Sequence, residues 1–114
     1  MKNEVNVPRG TSLSLGIQIQ QNDGSPYSVQ SGDTVYFAVK KDVNGDACIN
    51  KTAAYNAESN CFVVKLEPED TSSLPFGRYW YDIGLQTEEG DFYTVIPATY
   101  FNILYAVTGK VTGT

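Results

Sequence analysis

Apolar and polar side chains alternate most cleanly from Tyr79 to Gln86. Tyr79, Tyr81, Ile83 and Leu85 fall on one side of an extended chain, and Trp80, Asp82, Gly84 and Gln86 on the other. A period of two marks a strand with one buried face. The residues before it, Asp70 to Gly77, read as a tight polar corner, with Leu74 pointing inward as an anchor, Pro75 fixing the chain direction and Gly77 supplying backbone freedom. A tyrosine that opens a strand after such a corner stands where immunoglobulin-like sandwiches carry their tyrosine corner, ring buried and hydroxyl bonded back to the corner. Leu74, Gly77 and Tyr79 are therefore expected to form the structural corner of the fold.

The same alternation recurs along the chain. Residues 1–10, with Pro8 and Gly10, read as an irregular arm, and Leu13, Leu15, Ile17 and Ile19 then alternate with polar neighbours. Turn chemistry at 22–26 and 31–33 precedes a strand over 34–40, with Val35, Phe37 and Val39 inward. Asn44-Gly45 is a two-residue hairpin signal. It leads into a strand over 47–53 with Ile49 inward, and a connection follows at 54–60. Phe62, Val64 and Leu66 form the inward face of a strand over 61–67. Beyond the central strand, a turn at 88–91 returns the chain into Phe92 to Ile96. Pro97 cannot donate to a ladder, so a bulge at Pro97-Ala98 is expected, with Phe101 and Ile103 inward after it. The Thr- and Gly-rich tail, 105–114, is expected to be loose unless something holds it.

About seven strands with turn signals at roughly 8–12-residue spacing predict an all-β, immunoglobulin-like antiparallel sandwich. The domain is expected over 11–104, between an N-terminal arm at 1–10 and a C-terminal tail at 105–114. A jelly roll wants more strands, and a small closed barrel fits the periodicity as well.

Composition narrows the function. A chain of 114 residues suffices for one domain that needs no metal or disulfide staple. The formal net charge of −5 disfavours a grip on phosphates, so no nucleic-acid partner is expected. No apolar run approaches the about 20 residues of a membrane span, and Met1 to Val5 begins no signal segment. The expectation is folding in a host cytoplasm without a membrane partner. There is no histidine, which removes the commonest general base and metal ligand. The carboxylates of Glu67, Glu69 and Asp70, and of Glu88, Glu89 and Asp91, sit in turns, where capping is a better account than acid–base work. The stretch Asp42 to Asp46 echoes a calcium loop, but Ala47 and Ala53 occupy positions that such a loop does not give to alanine. Neither catalytic residues nor a metal or cofactor are expected. Cys48 and Cys61 could face each other across a hairpin, yet a reducing compartment favours free thiols. Asn50-Lys51-Thr52 matches a glycosylation sequon that means little without secretion.

Outward aromatics point to binding. Tyr36 and Trp80 face away from the core side, and Tyr93 joins them if Glu89-Gly90 makes a two-residue turn. Such a group anchors protein interfaces or stacks on sugar rings. The expected binding residues are Tyr36, Trp80 and Tyr93 on the face, with Val5, Val7 and Val107 on the arms.

Several motifs together carry a family resemblance. They are Gly32-Asp33-Thr34-Val35-Tyr36-Phe37, Lys51-Thr52, Leu66-Glu67-Pro68-Glu69-Asp70-Thr71, the run Leu74 to Ile83, Gly90-Asp91-Phe92-Tyr93-Thr94-Val95-Ile96, and Phe101-Asn102-Ile103. In order and spacing this set resembles small structural proteins of phages and prophages of gut Firmicutes. More loosely, it is similar to the immunoglobulin-like N-terminal domain of phage upper-baseplate proteins of the BppU kind. The resemblance spans most of 11–107 and implies a virion component with no family catalytic residues to carry over. That baseplate domain continues into further chain, whereas this sequence ends soon after its last strand, so capsid decoration or a tail or baseplate accessory role is expected. Partners would be other virion proteins and copies of the same chain. A carbohydrate- or receptor-binding module is the alternative.

Overall fold

The computed structural model describes residues 3–21 and 23–105. Its strands are β1 (Val5–Pro8), β2 (Leu13–Ile17), β3 (Thr34–Lys40), β4 (Ala47–Thr52), β5 (Ala54–Asn56), β6 (Cys61–Leu66), β7 (Gly77–Gln86) and β8 (Phe92–Leu104), with one short helix, α1 (Pro68–Ser72). They form a five-stranded sheet in the order β1-β8-β7-β3-β4 and a three-stranded sheet in the order β2-β6-β5. The connectivity places β2, β6 and β5 as strands B, E and D of an immunoglobulin-like sandwich, against β8, β7, β3 and β4 as G, F, C and C′.

The period-two faces predicted from sequence meet between the sheets. Tyr79, Tyr81, Ile83 and Leu85 of β7 are buried, as are Val35, Phe37 and Val39 of β3, Ile49 of β4, Phe101 and Ile103 of β8, and Phe62, Val64 and Leu66 of β6. At the centre, Phe37, Tyr81 and Phe101 pack ring against ring, with centroids 5.6 to 6.1 Å apart. These separations suit the edge-on and tilted packing that aromatic rings favour.

The corner before β7 is a tyrosine corner. The Tyr79 hydroxyl donates to the Pro75 carbonyl at 2.8 Å, and Gly77 sits at φ +137°, a backbone region closed to side-chain-bearing residues. Leu74 packs against the core. What reads as a polar corner in sequence also contains α1, which a capping box starts. The Asp70 N–H donates to the Glu67 backbone carbonyl at 3.0 Å, the Asp70 carboxylate accepts from the Glu67 N–H at 2.7 Å, and Pro68 takes the first helical turn. Lys51 then pairs with Asp70 at 2.9 Å, tying β4 to α1.

Four sequence expectations need correction. Residues 1–10 are not an irregular arm, because β1 pairs in parallel with β8, Val5 opposite Phe101 and Val7 opposite Ile103. The five-stranded sheet is therefore mixed, and the described residues form eight strands. The strand expected over 47–53 ends at Thr52. The chain then crosses to the other sheet at Ala53, whose N–H donates to the Val35 carbonyl, and continues as β5. Asn44-Gly45 does not form a two-residue hairpin. Residues 41–46 are a longer loop in which Gly45 N–H closes a turn on the Asp42 carbonyl at 2.8 Å, a position that needs no left-handed backbone. Cys48 lies in the five-stranded sheet and Cys61 in the other, so no hairpin brings them opposite each other, and both thiols are free.

The bulge expected at Pro97-Ala98 is present. Tyr81 pairs with Thr99 and Ile83 with Ile96, and a second slip places Gly84 opposite Thr94. Two extra residues in β8 restore its phase, which is why Phe101 and Ile103 still face inward.

Candidate functional site

The outer face of the five-stranded sheet is built row by row from register. One row holds Asn6, Asn102 and Arg78; the next holds Tyr100, Trp80 and Lys40. Asp82 and Ala38 follow, then Thr94, Gly84, Tyr36 and Thr52, and finally Phe92, Gln86 and Thr34. Trp80 and Gly84 are four residues apart on one strand, about 13 Å at strand rise. The aromatics thus form two separate groups.

The first group is a stack. The Trp80 and Tyr100 rings lie 4.8 Å apart, and the Arg78 guanidinium sits 4.0 Å from the Tyr100 ring centre. Arg78 Nε donates to Asn102 Oδ1, and Asn102 Nδ2 donates to the Asn6 side-chain oxygen and to the Glu4 carboxylate, so β1 helps to hold the stack. The β8 bulges create this neighbour: without them Ala98, not Tyr100, would stand opposite Trp80. They also leave Asp82 with no register partner on β8. Beside Trp80 the face sinks into a depression of about 220 Å³, lined by Ala38, Lys40, Val43, Trp80, Asp82 and Ala98 among others.

The second group lies at the end nearer the 87–91 hairpin. Phe92 covers Gly84 so closely that a Cβ there would stand 2.3 Å from the ring, and its centroid is 6.5 Å from that of Tyr36. Tyr36 remains 41% exposed and Phe92 58%. Two apolar rings held this openly on a sheet face are a surface suited to a partner.

Of the residues expected from sequence, Tyr36 and Trp80 do share this face, though in different groups. Tyr93 does not. The 87–91 loop is longer than the two-residue turn it would need, so Gln86 pairs with Phe92, and Tyr93 falls opposite Leu85 on the inner side, exposed beyond the end of the core. Val7 is 1% exposed and belongs to the core, and Val5 packs against it, so neither is a free arm residue. Val107 lies outside the described residues. Sequence reasoning missed Tyr100 and Phe92. Tyr100 was readable from the bulge itself, since Phe101 inward puts Tyr100 outward.

The carboxylates of Asp33 and Glu88 have structural partners. Asp33 Oδ2 accepts from the Tyr27 hydroxyl and the Gln30 N–H, each at 2.8 Å, and its Oδ1 accepts from Glu88 N–H at 2.9 Å. Glu88 in turn accepts from Ser31 Oγ and Gly32 N–H, which locks the 87–91 hairpin to the 28–33 loop. Burial, the largest influence on Asp33, pushes its carboxyl up, but the hydrogen bonds from Gln30, Tyr27 and Glu88 together hold it below its ordinary value. Burial and then Asp33 push the Tyr27 hydroxyl up to about 12, so it stays a donor. Among the described residues, no group of three or more Cys, Asp or Glu could hold a metal ion, and no helix is long and apolar enough to cross a membrane.

The fold and this face define an all-β, immunoglobulin-like sandwich with an aromatic outer surface. No protein-family model, no curated protein and no solved structure matches the chain.

Proposed function

We propose that the chain is a non-enzymatic structural subunit of a phage particle, a capsid decoration or a tail or baseplate accessory, which docks on another virion subunit through the outer face of its five-stranded sheet. The observation that carries the docking surface is the exposed Tyr36–Phe92 pair held over Gly84. A flat sheet face suits a protein partner, and burying two rings supplies the central anchor that such interfaces use. The assignment to a virion is supported by the motif resemblance that runs through Asp33 to Phe37, the tyrosine corner and Phe92. The terminal arm drops out of the docking mechanism, since β1 is part of the sheet.

The test is mass spectrometry of purified particles with stoichiometry. Hundreds of copies would mean capsid decoration and a handful a tail tip. A Tyr36→Ala/Phe92→Ala double variant should fold and be lost from particles. Absence of the wild-type chain from particles would overturn the virion assignment, and undiminished incorporation of the double variant would overturn the docking face.

A further inference from the structure

We infer that the depression beside Trp80 is a binding site for a single pyranose ring of a glycan. This goes beyond the docking reading and does not depend on it, because the site lies at the Trp80 end of the face, away from Tyr36 and Phe92. The first argument is size. At about 220 Å³ the depression is smaller than the clefts of about 300–1,000 Å³ that enclose drug-sized ligands, and it opens on the surface. It holds one ring and leaves the rest of a chain outside.

The second argument is the wall. Trp80 lines the depression, and its ring lies 4.8 Å from that of Tyr100, the two planes tilted by 55°. The C–H side of a pyranose is an apolar patch on a polar ligand, one that an indole ring covers without stranding a donor or acceptor.

The third is the polar pair. Asp82 and Lys40 both line the depression, and neither has a hydrogen-bond or ion-pair partner among the described residues. A carboxylate that only accepts and an ammonium that only donates make opposite demands on one ligand. A phosphate would be repelled by Asp82, and a cation by Lys40. Neighbouring hydroxyls on one sugar ring donate to the first and accept from the second. The lining is completed by Val43 and Tyr81 and by two small residues, Ala38 on β3 and Ala98 at the β8 bulge, which leave room for a ring.

Trp80 is the chain's single tryptophan, so its emission reports on this site alone. The full chain is titrated with the methyl glycosides of glucose, galactose and N-acetylglucosamine, reading tryptophan fluorescence. The expected result is a saturable change with at least one glycoside. It should weaken at least about tenfold in Asp82→Asn and vanish in Ala38→Leu, which fills the depression, while both variants keep the wild-type melting temperature. Tyr36→Ala/Phe92→Ala should respond as wild type does, which separates this site from the docking surface. No response of the wild type to any of the three glycosides overturns the proposal, as does an undiminished response in Ala38→Leu. A response only to virion-derived peptides, blocked by Ala38→Leu, also overturns it and gives the depression to a protein partner.

Discussion

Tyr79 meets two demands at one position: its ring fills the core, and its hydroxyl satisfies the Pro75 carbonyl. Tyr79→Phe keeps the first and loses the second, so urea unfolding should show a loss of about 1–2 kcal/mol with an unchanged slope. Gly84 meets a different demand. Gly84→Ala must displace the Phe92 ring, an exposed group, and should cost about 0.5–1 kcal/mol. In a Phe92→Ala background the same change should become neutral or stabilising, since glycine is a poor strand residue without that ring, and a double-mutant cycle reads the difference. Asp33 sets a pH dependence. Its carboxyl is lowered in the folded protein, so its contribution is full above the unfolded value of about 3.9 and drains away as pH falls through the folded value. Melting temperature should hold from about pH 7 to 5 and drop below about 4, and Asp33→Asn should start lower at neutral pH and drop less. The corner was legible at this scale because proline, glycine and tyrosine each act locally. The role of Asp33 was not, because its donors come from residue 27 and residue 88.

At the scale of elements, strands with one buried face were legible and strands at edges were not. The faces of β3, β6 and β7 follow directly from alternation, and the β8 bulge from Pro97. By contrast, β1 has only four residues and draws its stability from β8, so no local pattern marks it, and β5 is exposed at all its positions. The helix α1 is too short to show a period. Tyr93 failed for a related reason: its side of the sheet depends on the length of the 87–91 loop, and one residue of register reverses every side chain beyond it. The β1 finding carries its own prediction. Val7→Ala removes buried apolar volume opposite Ile103 and should destabilise by about 2 kcal/mol in urea unfolding. A free arm would show no change.

For the molecule as a whole, the two sheets close on one apolar layer, and both aromatic groups lie on the opposite side of the larger sheet. That division of labour was visible in the sequence as the two parities of β7. The partition of the outer face into a braced stack, a depression and an open pair was not, because it depends on how far β8 slips against β7. Function follows the same division. Changes to the outer face should alter binding with the fold intact, and changes to the inner face should unfold the chain before binding can be measured.

The parallel pairing of β1 with β8 also orders events during synthesis. β1 finds its hydrogen-bonding neighbour only after about 90 further residues have been made, so Val7 waits in water until Ile103 arrives. Nascent chains halted before residue 92 should therefore leave residues 5–8 open to protease, and extension until residues 101–104 are free to pair should close them.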